Sequence, residues 1–397
     1  MPGSEVPGQE AGKLVSGAVE YFRDMVTTDR RARELADFAG KVVGVYCNFV
    51  PEELIYALGA VPVRLCSGDD GSARAGETAF PRDTCSLVKA CVGEAVENCE
   101  LFGRADLLVI PTPCDAKKKL GGVMAAYKPV HMLGLPPSKA GPGAREFWMT
   151  QIWELVGKLE SLTGRRLTRQ GLQEAIELLN RRQSAFRRFL ELRKSVPARV
   201  TGEEALLVTQ ASFHDEPTRW TGKLQELCEE RAASGITPKP APRLMLSGAP
   251  VLYPNLKLVR AIEEAGAELA IDETCAGTQR LYNPTVVRET SLRKMVEAVA
   301  EKCLLPQTCP CFVENADRVN RIGEMVAEYS ISGVVYHTLR MCPLFDIEAM
   351  QIQRELRRKA IPCLVLSTDY SLEDSAQILT RVEAFVEMVA AAQGNAG

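Results

Sequence analysis

Short runs of β-branched and other apolar residues alternate with helical stretches in both halves of the chain, and this alternation constrains the fold more than any other feature. In the first half the runs lie at 42–47, 62–66, 106–111 and 128–133, and in the second half at 243–248, 268–272, 333–337 and 361–366. Strands that alternate with helices form βα units, whose parallel sheets are covered on both faces. The sequence therefore predicts an α/β protein with two parallel-sheet domains.

The stretch between the two alternating regions has a helical pattern. Apolar residues recur with a helical period over 172–190, and Thr168 is a suitable N-cap residue. TPKPAPR at 237–243 has the composition of a linker. We therefore predict an N-terminal tail and helix (1–40), a first α/β domain (41–145), a helical bridge (146–240) and a second α/β domain (241–397). Five arginines of the bridge are interpreted as a solvent-facing surface: Arg181, Arg182, Arg187, Arg188 and Arg193.

Charge and apolar patterning argue against several classes of protein. Lys plus Arg number 48 and Asp plus Glu number 51, a net charge of −3 that gives no global electrostatic reason to bind nucleic acid. No apolar run approaches the roughly 18 residues of a membrane helix. The N-terminus lacks the pattern of an export signal, so we expect a cytoplasmic, reducing environment. No G-x-G-x-x-G or P-loop motif follows a strand, so the chain shows no phosphate cradle of its own.

Thirteen cysteines are the main chemical signal in the sequence. In a reducing compartment, clustered cysteines indicate metal binding or catalysis more often than disulfides. The absence of C-x-x-C argues against zinc ribbons, thioredoxin-like sites and bacterial-ferredoxin clusters. Two trios recur at an offset of 226 to 228 residues, one in each α/β region: Cys47, Cys85 and Cys114, then Cys275, Cys311 and Cys342. Cys309 fits the offset slightly less well than Cys311. The alignment of the two trios is imperfect, which predicts an extra βα unit before the trio of the second half.

The positions of these cysteines favour a metal cluster. Several follow predicted strands, and open α/β sheets bind ligands at the carboxyl ends of their strands. Helix N-termini at that edge favour thiolates and anionic groups. Three thiolates leave one iron of a four-iron cluster without a protein ligand, which is an open coordination site. Zinc held by three thiolates is an alternative, but the long spacings and the presence of only three histidines favour a larger cluster, and two such clusters could meet across an interdomain cleft.

The remaining cysteines and some charged neighbours have weaker assignments. Four cysteines are interpreted as packing residues and two as undecided: Cys99, Cys228, Cys303 and Cys363 in the first set, Cys66 and Cys91 in the second. His337, five residues before Cys342, is a candidate catalytic proton donor or hydrogen-bond donor, with a packing histidine as the alternative. Arg82 and Arg280 could balance the charge of a cluster or be ordinary surface residues. Lys117, Lys118 and Lys119 could form a docking patch for a reductase or a solvated face.

Seven segments together carry a family resemblance: YCNFVPEELIYALGAVPVRL (46–65), PRDTCSLVKA (81–90), PTPCDAKKK (111–119), DETCAGTQRLY (272–282), CPCFVENADR (309–318), HTLRMCPLFDIE (337–348) and IPCLVLSTDY (361–370). They resemble the 2-hydroxyacyl-CoA dehydratase and benzoyl-CoA reductase superfamily over nearly the whole chain beyond residue 38. Because a second cysteine trio is present, the chain is most similar to the double-cubane cluster branch of that superfamily.

The resemblance implies a specific cofactor and specific partners. It implies two flavodoxin-like (Rossmann-type) domains, a homodimer, and an [8Fe-9S] cluster of two [4Fe-4S] units bridged by sulfide and held by the six cysteines of the two trios. A separate ATP-hydrolysing iron–sulfur reductase would supply low-potential electrons for an anaerobic reduction of a small molecule. The alternatives are a 2-hydroxyacyl-CoA dehydratase subunit with one [4Fe-4S] cluster, a non-catalytic electron carrier, and a metal-free protein with buried thiols.

Overall fold

Two four-stranded parallel sheets form the framework of the protein. The computed structural model describes residues 17–27, 30–233, 241–314 and 316–394. The first sheet has the order β2-β1-β3-β4 and contains β1 (Val42–Val45), β2 (Val61–Arg64), β3 (Leu107–Pro111) and β4 (Val130–Leu133). The second has the order β6-β5-β7-β8 and contains β5 (Arg243–Gly248), β6 (Glu268–Asp272), β7 (Gly333–Leu339) and β8 (Cys363–Thr368). All pairs are parallel, which confirms the predicted α/β class with two flavodoxin-like sheets.

The two sheets have the same number and order of strands among the described residues. As predicted, one more βα unit precedes the trio in the second half, because Cys47 follows β1 whereas Cys275 follows β6, the second strand of its sheet. The N-terminal tail up to residue 16 and residues 234–240 of the predicted linker lie outside the described residues. The four segment boundaries therefore stay a prediction.

Helices cover and connect the two sheets. In the first half these are α1 (Gly17–Thr27), α2 (Arg30–Ala36), α3 (Glu52–Ala57), α4 (Asp70–Ala75), α5 (Ser86–Val96), α6 (Glu100–Arg104) and α7 (Asp115–Met124), with a 3-10 turn at Gly76–Thr78. The connecting helices are α8 (Ala144–Thr163), α9 (Arg169–Lys194), α10 (Gly202–Ala211) and α11 (Pro217–Ala233). The second half contributes α12 (Lys257–Glu264), α13 (Thr278–Leu281), α14 (Leu292–Leu304), α15 (Ala316–Glu328), α16 (Pro343–Arg358) and α17 (Ser375–Gly394). None of the described helices combines the length and the hydropathy that crossing a bilayer requires.

Helix α9 ties the connecting segment to both sheets. Thr168 caps it as predicted, because its side chain accepts a hydrogen bond from Gly171 N at 3.1 Å. Two of the five arginines assigned to a solvated face are instead buried, Arg182 at 3% and Arg193 at 2% exposure. Arg182 pairs with Glu52 at 2.8 Å, and Arg193 Nε donates to Ala270 O at 2.8 Å. The other three are exposed as predicted: Arg181, Arg187 and Arg188.

One apolar cluster continues from the first sheet into the second half of the chain. It includes strand residues of β1 together with side chains of α8, α9 and α14. At its edge the rings of Phe49 and Phe312 lie 5.8 Å apart in a T-shaped arrangement. Phe49 follows Cys47 and Phe312 follows Cys311, so this packing brings two cysteine-bearing loops from opposite halves together.

Candidate cluster site

Loops at the carboxyl ends of the two sheets contact each other, and the six predicted cysteines lie in these loops. Gly68, after β2, donates its N–H to Tyr253 O at 2.9 Å, after β5. Asn48, after β1, donates from Nδ2 to Cys275 O at 2.8 Å, after β6. Because the ligand-binding edges of the two sheets meet, side chains from both halves can share one site.

Cys85, Cys114 and Cys342 form the first group of thiols. The thiols of Cys85 and Cys342 hydrogen-bond to each other, although they belong to opposite halves of the chain. Cys114 lies close enough to both for the proximity of their charges to affect the pKa values of the group. We call these three residues group A.

Every member of group A is the N-cap of a helix: Cys85 of α5, Cys114 of α7 and Cys342 of α16. Cys114 Sγ accepts a hydrogen bond from Lys117 N at 3.5 Å. The hydrogen bond from Cys342 lowers the pKa of Cys85 to about 7 against the effect of burial, and backbone N–H groups of α5 add to this. Three helix N-termini thus direct partial positive charge at group A, which favours thiolates and an anionic ligand.

Cys47, Cys275 and Cys309 form the second group, which we call group B. Burial raises the pKa of Cys47 and raises that of Cys275 to about 12, and the proximity of Cys309 adds to both shifts. Cys309 also acts on Cys114 of group A. Cys311, which the sequence comparison favoured, lies two residues after Cys309 and raises its pKa. Because Cys309 acts on the pKa values of thiols in both groups, we take Cys309 as the candidate third member of group B.

Each group takes cysteines from both halves, whereas the sequence comparison assigned one trio to each domain. The reason is topological. Cys275 follows β6, the second strand of its sheet, and the matching position in the first sheet is Cys66 after β2. Cys47 follows β1, which corresponds to β5. The offset of 228 residues therefore relates equivalent positions for Cys114 and Cys342, which follow β3 and β7, but not for Cys47 and Cys275. Proximity across the facing edges decides the grouping.

A buried carboxylate fixes the loop that carries Cys309. Glu273, 1% exposed, lies just beyond β6 and two residues before Cys275. It accepts hydrogen bonds from Thr308 Oγ1 at 2.7 Å and from Ser247 Oγ at 2.8 Å, and it pairs with Arg318 at 2.9 Å. This network fixes the position of the loop that carries Cys309 relative to the loop that carries Cys275.

Two buried cations lie beside the thiols. Lys117 is 5% exposed; its Nζ is 3.5 Å from Tyr46 O and 4.0 Å from Cys91 Sγ. Arg64 is 4% exposed, donates to Asn48 Oδ1 at 2.5 Å and lies 4.7 Å from the centre of the Phe213 ring. Among the residues that the structure describes, no carboxylate forms an ion pair with either cation.

Burying a cation without a carboxylate partner is costly unless another anion compensates it. Burial by itself would lower the pKa of Lys117, but neighbouring thiols, Cys91 and Cys66 first, outweigh burial and raise it. Sulfur is thus the counter-charge of this lysine. Lys117 was predicted as part of an exposed docking patch; it points inward instead, because consecutive helical residues face different directions. Lys118 is 58% exposed and pairs with Asp115.

Three other predicted residues have roles outside the thiol groups. His337 is 3% exposed, and its Nδ1 and Nε2 lie 2.8 Å from Ala249 O and Thr368 Oγ1, respectively. Burial lowers its pKa to about 4, and both ring nitrogens have protein partners, so we assign it to packing between β5, β7 and β8. The Arg82 side chain is 88% exposed. Arg280 is buried and pairs with Glu52 at 2.7 Å, so its charge is balanced without a cluster.

The thiols fit a multi-iron cluster better than a single ion. Among the described residues, no three His, Cys, Asp or Glu side chains gather closely enough to hold one metal ion. An iron–sulfur cluster places iron and sulfide between its thiolate ligands, which therefore lie further apart. Two thiolate groups, three helix N-termini and two buried cations are a suitable donor set and electrostatic environment for such an anionic group. The sequence offered no signal for Arg64, because its role depends on contacts between loops.

Comparison with known proteins shows which family the chain belongs to. The family profile described as 2-hydroxyglutaryl-CoA dehydratase, D-component, matches residues 47–389. YjiM of Escherichia coli (strain K12), named as a candidate dehydratase subunit, is 34% identical over 88% of this chain and 91% of its own length. The beta subunit of (R)-phenyllactyl-CoA dehydratase of Clostridium sporogenes is 22% identical over 92% and 97%. The beta subunit of (R)-2-hydroxyglutaryl-CoA dehydratase of Acidaminococcus fermentans is 23% identical over 94% and 99%. The chain therefore belongs to the 2-hydroxyglutaryl-CoA dehydratase D-component family.

Proposed function

We propose that this protein is an iron–sulfur reductase that transfers low-potential electrons to a small molecule at an [8Fe-9S] double-cubane cluster. Group A (Cys85, Cys114 and Cys342) would hold one [4Fe-4S] unit, and group B (Cys47, Cys275 and Cys309) the other. The observation that carries the proposal is the gathering of six thiols from both halves of the chain into two neighbouring groups.

The residues around the thiols suit this role. When bound, such a cluster would supply electrons and an iron site with a replaceable ligand. The helix N-termini at group A and the cations Lys117 and Arg64 would stabilise its negative charge. The network around Glu273 would keep the Cys309 loop in place. Burial of the thiols would exclude water from most of the site and help to set its potential.

Partners follow from the family and from the chain's own composition. The names of the relatives describe subunits of larger enzymes. This chain has no phosphate-binding loop of its own in its sequence, so we propose that a separate ATP-hydrolysing iron–sulfur reductase delivers the electrons. We also propose a homodimer, in which each chain holds a complete double cubane.

Iron and sulfide quantitation of the anaerobically purified protein tests the proposal. We expect about eight irons per chain, as two four-iron units require. With an ATP-dependent reductase, the protein should then oxidise the reductase in the presence of a small reducible substrate. A protein that is fully loaded but turns over no substrate would instead be an electron carrier, and a colourless protein with free thiols would exclude the cluster.

A dehydratase subunit with one [4Fe-4S] cluster is the second candidate. The observation that favours it is the greater regularity of group A, where all three cysteines occupy helix N-cap positions, in comparison with group B. In that case group B would remain unmetallated, and about four irons per chain would be found. Turnover would then require a partner subunit and a 2-hydroxyacyl-CoA.

A further inference from the structure

Cys66 and Cys91 belong to neither thiol group, and they contact each other beside a cavity. We propose that they form a redox-active dithiol, in which Cys66 is the attacking sulfur, Cys91 is the resolving sulfur and a hydroperoxide is the oxidant. The proposal concerns a site outside the predicted cluster ligands and does not depend on the proposed reductase activity.

The local backbone brings the two thiols together. Cys66 follows β2, and its Sγ lies 3.6 Å from Tyr46 O. Cys91 lies in α5, is 0% exposed, and its Sγ is 3.7 Å from the carbonyl oxygen of Leu65, the residue before Cys66. Both side chains pack in the same apolar cluster, and each thiol acts on the pKa of the other. A strand end and a helix therefore hold the two sulfurs next to each other.

Positive charge surrounds this pair. Lys117 Nζ lies 4.0 Å from Cys91 Sγ and 3.5 Å from Tyr46 O, the carbonyl that Cys66 also faces. Arg64 lies two residues before Cys66 and lines the same cavity. Interaction with the Cys91 thiol, supported by both cations, lowers the pKa of Cys66 to about 5 in spite of burial. The pKa of Cys91 is raised, so one sulfur is a thiolate while the other keeps its proton.

A cavity gives small molecules access to Cys66. It has a volume of about 480 Å³ and lies where α1, α2, α6 and the loop after β5 meet the first sheet. Its polar lining includes Arg64, Cys66, Asp69, Glu94, Cys99 and His214. Burial raises the pKa of Glu94 to about 8. This side chain therefore adds little negative charge to the cavity near neutral pH and does not strongly oppose an approaching oxidant. Cys66 is partly exposed at the cavity wall, whereas Cys91 lies behind it.

Hydrogen peroxide would oxidise Cys66 and Cys91 to a disulfide in two steps. The Cys66 thiolate attacks one oxygen of hydrogen peroxide; the O–O bond breaks, Cys66 becomes a sulfenic acid, and hydroxide leaves. The Cys91 sulfur then attacks the Cys66 sulfur, and the S–O bond breaks. The hydroxyl group leaves with the proton of Cys91 as water. Two thiols are oxidised to one disulfide, and the peroxide is reduced to water.

Alkylation of the anaerobically purified full chain tests the reactivity of Cys66. At neutral pH, iodoacetamide should modify Cys66 at least about tenfold faster than Cys228, because the gain in thiolate fraction exceeds the loss of nucleophilicity that accompanies a lower pKa. Cys228 is a matched control, since it is also partly exposed and burial raises its pKa to about 11. Equal alkylation rates of Cys66 and Cys228 would overturn the proposal. Protection of Cys66 from alkylation that disappears when iron is removed would also overturn it.

Disulfide mapping after limited hydrogen peroxide tests the pairing. Trypsin should release the two cysteines in peptides 65–74 and 90–104, and we expect these peptides to be joined through Cys66 and Cys91. Cys99 lies in the second peptide and lines the same cavity, so fragment spectra must distinguish it. Cys99→Ser should leave the cross-link intact, whereas Cys91→Ser should leave a Cys66 sulfenic acid that dimedone traps. A link through Cys99, or no link in the wild-type chain, contradicts the proposal.

Discussion

At the residue scale, Lys117 is a buried charge that acts on thiols of both groups, because it lowers the pKa values of Cys47 and Cys114 against the effect of burial. We expect Lys117→Met to shift the reduction potential of the bound cluster to more negative values by on the order of 100 mV, because a buried cation stabilises the more negative, reduced form. A redox titration of the anaerobic protein measures this shift. Lys118→Met is the control, since Lys118 is exposed and pairs with Asp115. Equal potentials in both variants would show that Lys117 does not act on the cluster.

A second residue-scale prediction concerns Glu52, which lies between Arg182 and Arg280. Burial favours a higher pKa, but the two guanidinium groups lower the pKa of Glu52 to about 2 from its ordinary value of 4.5. Glu52→Gln should therefore lower the free energy of unfolding by about 3–5 kcal/mol near neutral pH, because it leaves two buried cations uncompensated.

The ion pairs of Glu52 also predict that the stability of the fold depends on pH. A carboxylate with a lowered pKa stabilises the fold above about pH 4.5, and this contribution is lost as the pH falls toward 2. Urea unfolding of the iron-free protein at about pH 6 and about pH 3 should show a smaller difference between wild type and Glu52→Gln at the lower pH. The exposed Glu146→Gln serves as control and should change stability little at either pH.

Residue identities were more predictable than residue environments. The cysteines carry a recognisable chemistry, so the sequence could single them out. The inward position of Lys117 and the buried pairing of Arg182 were missed, because a run of like charges does not reveal which member of a helix faces the core. His337 was a candidate for catalysis because it lies five residues before Cys342, with a packing histidine as the alternative. The sequence could not decide between the two, since its two hydrogen-bond partners lie on other elements, at Ala249 and Thr368.

At the element scale, helix α5 is positioned by a very close contact with α4. A Cβ atom on Gly93 would lie 1.7 Å from Ser72 O, which is backbone. We expect Gly93→Ala to lower the free energy of unfolding by about 2–3 kcal/mol, since α5 would have to move. Gly122→Ala in α7 is the matched control, because nothing lies within 4 Å of the added atom. This control should be neutral or stabilising by up to about 1 kcal/mol in urea unfolding.

The positions of the strands could be predicted closely from the local pattern of apolar residues. The eight strands lie within about two residues of the predicted runs, because β-branched residues buried on both faces give continuous apolar segments. In the predicted N-terminal tail and helix (1–40), the described residues form α1 and α2, and residues 28 and 29 lie outside the described part of the chain.

At the scale of the whole molecule, the grouping of the thiols was beyond the reach of sequence pattern. An offset between two halves detects a repeated arrangement within each half. It does not detect that the carboxyl edges of two sheets face each other, which places Cys85 against Cys342 and Cys47 near Cys275. The relevant contacts span more than 200 residues of sequence, and they depend on packing between the two halves of the folded chain, such as that of Phe49 on Phe312.

Paired substitutions in the full chain distinguish the two groupings of the cysteines. Cys85→Ser with Cys342→Ser removes two ligands from group A alone, so iron should fall from about eight to about four per chain. Cys47→Ser with Cys85→Ser removes one ligand from each group, so both units should be weakened and iron should fall well below about four. If each domain instead held its own cluster, the two results would be exchanged. Cys228→Ser with Cys363→Ser is the control for lost thiols and should keep its iron. Iron quantitation of the three anaerobically purified variants therefore tests whether the cofactor joins the two halves of the chain.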